Sequence, residues 1–137
     1  MSENTDNARA WLEKAQNDLL SARVLVANRP PILDTACFHC QQSAEKSLKA
    51  FLVFKRIEFE KTHSMSYLLG MCLAQDADFV ALQDQAEFLN PFAVEVRYPG
   101  DAVMPSAEEV EEALAATTAI WEFVLTRLPE ECHPSHN

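Results

Sequence analysis

Glycine is almost missing: Gly70 and Gly100 are the only two in 137 residues. So few positions free to take a positive φ leave an all-β chain without its tight turns, so helices are the simpler expectation. No apolar run reaches the roughly 18 to 20 residues of a membrane span. The greasiest stretch, 48–54, is broken by Lys49 and followed by Lys55 and Arg56. Residues 1–6 are polar and acidic where a secretory signal is basic and then apolar, so a cytoplasmic location is expected. Four cysteines, at 37, 40, 72 and 132, are too sparse for a secreted disulfide scaffold, and no structural disulfide is expected.

Basic residues are also scarce, 11 against 21 acidic, for a net charge of −10. That balance repels phosphate backbones and excludes a broad nucleic-acid grip based on charge. The cations are nonetheless concentrated: Lys46, Lys49, Lys55, Arg56 and Lys61 gather in one region, whereas 101–131 carries eight acids and one base. One part of the surface is therefore suited to an anion.

What is present is helical periodicity. Trp11, Leu12, Ala15, Leu19, Ala22, Leu25 and Val26 recur at steps of three and four, predicting a first helix over 7–27 that Pro30 and Pro31 end. Ala36, Cys37, Cys40, Ala44, Ser47, Leu48, Phe51 and Leu52 predict a second over 33–55, with Asp34 near its start as a cap. Its small residues let another helix pack closely. Thr62 and Ser64 are candidate caps for a third helix through Met65, Leu68, Leu69, Cys72 and Leu73, and Asp76 or Asp78 for a fourth through Phe79, Leu82, Ala86 and Leu89. Residues 92–100 read as a loop or extended crossover. Ser106 and Glu109 form a capping box opening a last helix over 106–128, and the tail, 129–137, is expected to fray. The chain therefore reads as one all-α domain, 1–137, an antiparallel four- or five-helix up-and-down bundle.

Cys37 and Cys40 with His39 invite a metal, yet no second paired cluster completes four ligands, so the thiols are assigned to the core and no metal or cofactor is expected. His39, Gln42, Lys46 and Lys49 share one stripe of the second helix, a set of donors suited to phosphate or base edges or simply to water. Lys61-Thr62-His63 precedes the third helix, whose free amides favour an anion. Arg97 and Tyr98 stand before the last helix, and the arginine fork suits phosphate. Gly-rich phosphate loops, nucleophile turns and isolated carboxylate pairs are absent, so classical kinase or hydrolase chemistry is unsupported.

The run Ala36-Cys37-Phe38-His39-Cys40-Gln41-Gln42-Ser43-Ala44-Glu45-Lys46-Ser47-Leu48-Lys49-Ala50, followed by Lys61-Thr62-His63 with Leu68 and Leu69, and by Arg97-Tyr98-Pro99, resembles the HEPN family of small helical proteins. Ala10-Trp11-Leu12-Glu13-Lys14-Ala15 with Asp18-Leu19 is similar to that family's first helix. The resemblance implies a four- or five-helix bundle, commonly a homodimer, and frequent pairing with a minimal nucleotidyltransferase encoded beside it in prokaryotic toxin–antitoxin modules. Many members are metal-independent ribonucleases in which an arginine is followed, after four to six intervening residues, by a histidine. Here Arg97 leads to Asp101, Ala102 and Val103, and the next histidine is His133. Cleavage of RNA needs a group that exchanges protons near neutral pH, so a non-catalytic subunit binding a nucleotide, RNA or the nucleotidyltransferase is the expectation. The nucleotide or anion site is assigned to His39, Gln42, Lys46, Lys49, Lys61, His63, Arg97 and Tyr98, with no catalytic residue. The rivals are a ribonuclease toxin using Arg97 with a displaced His39 or His63, and a purely structural helical dimer.

Overall fold

A computed structural model describes residues 2–93 and 104–135. Within them lie five α-helices: α1 (Glu3–Ala27), α2 (Leu33–Phe54), α3 (Met65–Gln75), α4 (Gln83–Leu89) and α5 (Ala107–Thr126). Short 3-10 turns occupy Ala77–Leu82, Asn90–Ala93 and Glu130–Cys132, and no strand forms among the described residues. The architecture is the expected all-α antiparallel bundle. Among the described residues no helix is long and apolar enough to cross a membrane.

Helices α1 and α2 form a hairpin along most of their length. Ala8, Leu12, Ala15, Leu19 and Ala22 of α1 are all buried, at alternating steps of four and three, as are Ala36, Cys37, Cys40, Ala44 and Leu48 of α2. Small side chains at this seam bring the backbones close enough for the Ser43 hydroxyl to donate to the Ala15 carbonyl at 2.7 Å. Helix α1 starts four residues earlier than its apolar stripe suggests. The Ser2 hydroxyl accepts from the Thr5 N–H, and Asn4 donates to the Phe54 carbonyl at 2.7 Å, sealing the end of α2. The expected Asp34 cap is not made: Ile32 is the cap residue, without a side-chain bond, and Asp34 accepts from the Thr35 N–H.

Three local expectations hold. Ser64 accepts from the Tyr67 N–H at the start of α3, Asp76 accepts from the Asp78 N–H at the 3-10 turn before α4, and Ser106 with Glu109 closes a reciprocal capping box on α5. Helix α5 packs chiefly on α2 and also touches α1, so α2 is enclosed on nearly every side. Phe51, Phe79 and Phe123 meet in this core with ring centroids 4.5 and 4.9 Å apart. The segment expected as a loop or crossover enters as the turn Asn90–Ala93, and its remainder, 94–100, lies outside the described residues.

The expectation of a frayed tail is corrected for residues 129–135. Cys132 is fully buried, His133 Nε2 lies 2.8 Å from the Leu125 carbonyl, and the Arg9 guanidinium of α1 donates to the Glu131 carbonyl. All four thiols are free and buried. Burial pushes the Cys40 thiol up to about 12, with Cys37 adding to the shift, and burial alone does the same at Cys72.

Candidate functional site

The stripe expected on α2 divides into two clusters, because α2 is wrapped by its neighbours instead of lying against water. Asp18, on the buried side of α1, takes both His39 and Lys46: Oδ1 lies 2.8 Å from His39 Nδ1, and Oδ2 accepts from Lys46 Nζ at 2.6 Å. The Lys46 charge is therefore neutralised within the hairpin. Gln42, also buried, donates to Gln41 Oε1 at 2.7 Å.

Glu45 organises the second cluster. Its side chain is only 3% exposed, and it accepts from Lys49 Nζ at 2.9 Å and Gln41 Nε2 at 3.1 Å, while His63 Nδ1 lies 2.9 Å from Oε1. Gln41 also donates to the His63 carbonyl, fastening the segment before α3 to α2. Burial by itself raises the Glu45 carboxyl, but hydrogen bonds from Lys49, Gln41 and His63, together with the Lys49 charge, reverse that and hold it below the ordinary value. An ionised carboxylate can only accept, so His63 carries its proton on Nδ1 and leaves Nε2 as the basic nitrogen. The imidazole is 66% exposed.

Lys49, Lys61 and His63 line one cleft of ≈ 510 Å³ with Trp11, Phe59 and Thr62. The Lys49 ammonium lies 5.5 Å from the Trp11 ring and 5.9 Å from the Phe59 ring, so two aromatic side chains and Glu45 hold it. Since Glu45 cancels Lys49, the cleft's surplus positive charge comes from Lys61, which is exposed and forms no ion pair among the described residues, and from His63 when protonated. The free amides expected at the start of α3 are largely taken: the Met65 N–H donates to Asn90 Oδ1 and the Tyr67 N–H to Ser64. Thr62 accepts from the Ser64 N–H.

The eight residues assigned from sequence are thus distributed. Lys49, Lys61 and His63 share the cleft; His39 and Lys46 belong to the Asp18 cluster; Gln42 leans on Gln41; Arg97 and Tyr98 lie outside the described residues. Sequence reasoning left out Trp11, Asp18, Gln41, Glu45 and Phe59. A signal existed for two of them. Asp18 falls seven residues after Trp11 and seven before Leu25, an acid on a buried stripe, and Glu45 stands four residues from both Gln41 and Lys49. Among the described residues no three His, Cys, Asp or Glu side chains gather as a metal site requires.

The fold recurs in solved structures. The chain superimposes on a crystal structure of TT1696 from Thermus thermophilus with a TM-score of 0.75 and 32% identity, covering 90% of this chain and 99% of that one. It also matches the crystal structure of ST0689, described as an archaeal HEPN homologue, with a TM-score of 0.68 and 25% identity over 88% of this chain and 96% of that one. A comparison with curated protein sequences gave no match. The HEPN domain model matches residues 8–128, spanning α1 through α5 and so every helix that builds the cleft; the chain belongs to the HEPN domain family.

Proposed function

We propose that residues 1–137 act as one non-catalytic HEPN domain in the cytoplasm, a dimeric subunit that binds a nucleotide or RNA end and works beside a minimal nucleotidyltransferase. The observation that carries the binding reading is the cleft of Trp11, Lys49, Phe59, Lys61, Thr62 and His63, a cationic and aromatic concavity on a protein of net charge −10. A positive spot on an acidic surface selects a compact anion over a long polyanion, because distant phosphates meet repelling carboxylates. Lys61 is free to donate, and His63 adds a second donor when protonated. The missing histidine after Arg97 supports a binding role over catalysis.

Amide NMR signals of residues 59–63 should shift on addition of a nucleoside diphosphate. Lys61→Ala should weaken binding roughly 10-fold, the loss of about one charge-assisted hydrogen bond. Absence of any shift together with failure to co-purify with a nucleotidyltransferase encoded beside it would remove the proposal.

A ribonuclease remains the second reading, and the Glu45–His63 pair favours it. A buried carboxylate fixes the imidazole and leaves Nε2 basic at the cleft, while His39 is engaged by Asp18. RNA breakdown lost in both His63→Ala and Arg97→Ala, but kept in His39→Ala, would establish this reading over the first.

A further inference from the structure

Trp11 has concave surface on two sides. The cleft described above holds Lys61 and His63, whereas an adjoining hollow of ≈ 250 Å³ is lined by Asn7, Ala10, Trp11, Lys14 and Val53, at the seam where the start of α1 meets the end of α2. The indole is the wall common to both.

The two spaces differ in chemistry. One carries the uncompensated Lys61 charge, to which His63 adds when protonated, and phosphate-sized anions suit it. The other is lined by the aliphatic side chains of Ala10 and Val53, the Trp11 ring, and two polar side chains, Asn7 and Lys14. Asn7 can both donate and accept, and Lys14, which forms no ion pair among the described residues, can donate. Such a hollow accepts a flat ring with hydrogen-bonding edges, and a simple anion would use none of it.

The indole is also braced. Lys49 lies against it and is tied in turn to the buried Glu45, so Trp11 is held in place before any ligand arrives. Little conformational freedom is left to lose on stacking.

Building on the nucleotide reading above, we infer that Trp11 is the base shelf of the site: the nucleobase stacks on the indole over Ala10 and Val53, with its edge toward Asn7 and Lys14, while the phosphates reach past the ring to Lys61 and His63. The ligand class is a nucleoside 5′-phosphate or a nucleotide end with an unpaired base. Stacking on an aromatic side chain strengthens binding by about 10-fold or more per base.

Calorimetric titration of the full chain with ADP and with inorganic pyrophosphate separates the two halves of the site, because both probes carry the diphosphate and only one carries a base. ADP should bind about 10-fold tighter than pyrophosphate, and Trp11→Leu should bring that ratio to about one. Equal affinities in the unaltered chain, or a ratio that Trp11→Leu leaves intact, would overturn the base shelf while leaving anion binding in place. Binding of neither probe would overturn both proposals. Should Trp11→Leu not fold, Trp121→Phe leaves Trp11 as the sole tryptophan. Its fluorescence should then be quenched by ADP well beyond the effect of pyrophosphate, and equal quenching would refute the shelf.

Discussion

Removing the Glu45 carboxylate would strand Lys49, whose ammonium is nearly buried and has no other carboxylate within reach among the described residues. An unpaired buried charge of this kind typically costs about 3 kcal/mol or more. Glu45→Gln is therefore expected to lose about 3 kcal/mol of stability at neutral pH, measured by urea unfolding. The acid limb gives an independent sign. Glu45 has a folded-state value below 4.5, so its contribution is fully present above that value and is lost as pH falls through the depressed one. The unaltered chain should lose stability on acidification below about pH 5, and Glu45→Gln should lose less over the same interval. Parallel acid limbs for the two proteins would show that the carboxylate is not held ionised by its neighbours. At this scale sequence was a partial guide. His39 and Lys46 stand on the same stripe as Lys49, but the acid that occupies them, Asp18, comes from another helix, and no spacing within α2 reveals it.

Helix α2 ends in a six-to-one and five-to-two bonded turn: the Ile57 N–H donates to the Leu52 carbonyl at 2.9 Å and the Arg56 N–H to the Val53 carbonyl at 3.0 Å. Arg56 takes φ 61 there, the left-handed conformation that glycine adopts without a Cβ penalty. Arg56→Gly should accordingly raise stability by about 1 kcal/mol, seen as a melting temperature a few degrees higher. A lower melting temperature would mean that the exposed Arg56 bond to Asn4, 3.4 Å long, matters more than the strain. Element ends divide into two kinds. The Ser106–Glu109 box and the Ser64 cap were legible because both partners lie within three residues. The start of α1 and the missing Asp34 cap were not, since the first also rests on an Asn4 contact with the far end of α2 and the second on the path of the 28–32 connection.

Across the molecule, the tail closes the bundle. Residues 129–135 carry Cys132 into the core and tie α5 to α1 through His133 and Arg9. A chain ending at Leu128 loses two buried side chains, Cys132 and Pro134, and several hydrogen bonds, so a loss of about 2 kcal/mol is expected. Urea unfolding of the shortened chain checks it, and an unchanged midpoint would return the tail to the frayed state its polar composition suggests. Short polar segments read as loose because sequence does not show whether a groove awaits them.

The sequence alone was enough for the all-α bundle, the long stripes of α1, α2 and α5, the burial of Cys37 and Cys40 and the family resemblance, because periodicity and local capping act within a few residues of one another. Tertiary structure decided which polar groups are free. Asp18 engages His39 and Lys46, Glu45 engages Lys49 and orients His63, and Trp11 and Phe59 turn a charged edge into a cleft. Apart from Glu45–Lys49, one turn apart on α2, these pairings join residues from separate segments of the chain, and electrostatic attraction depends on distance in space, which only packing establishes.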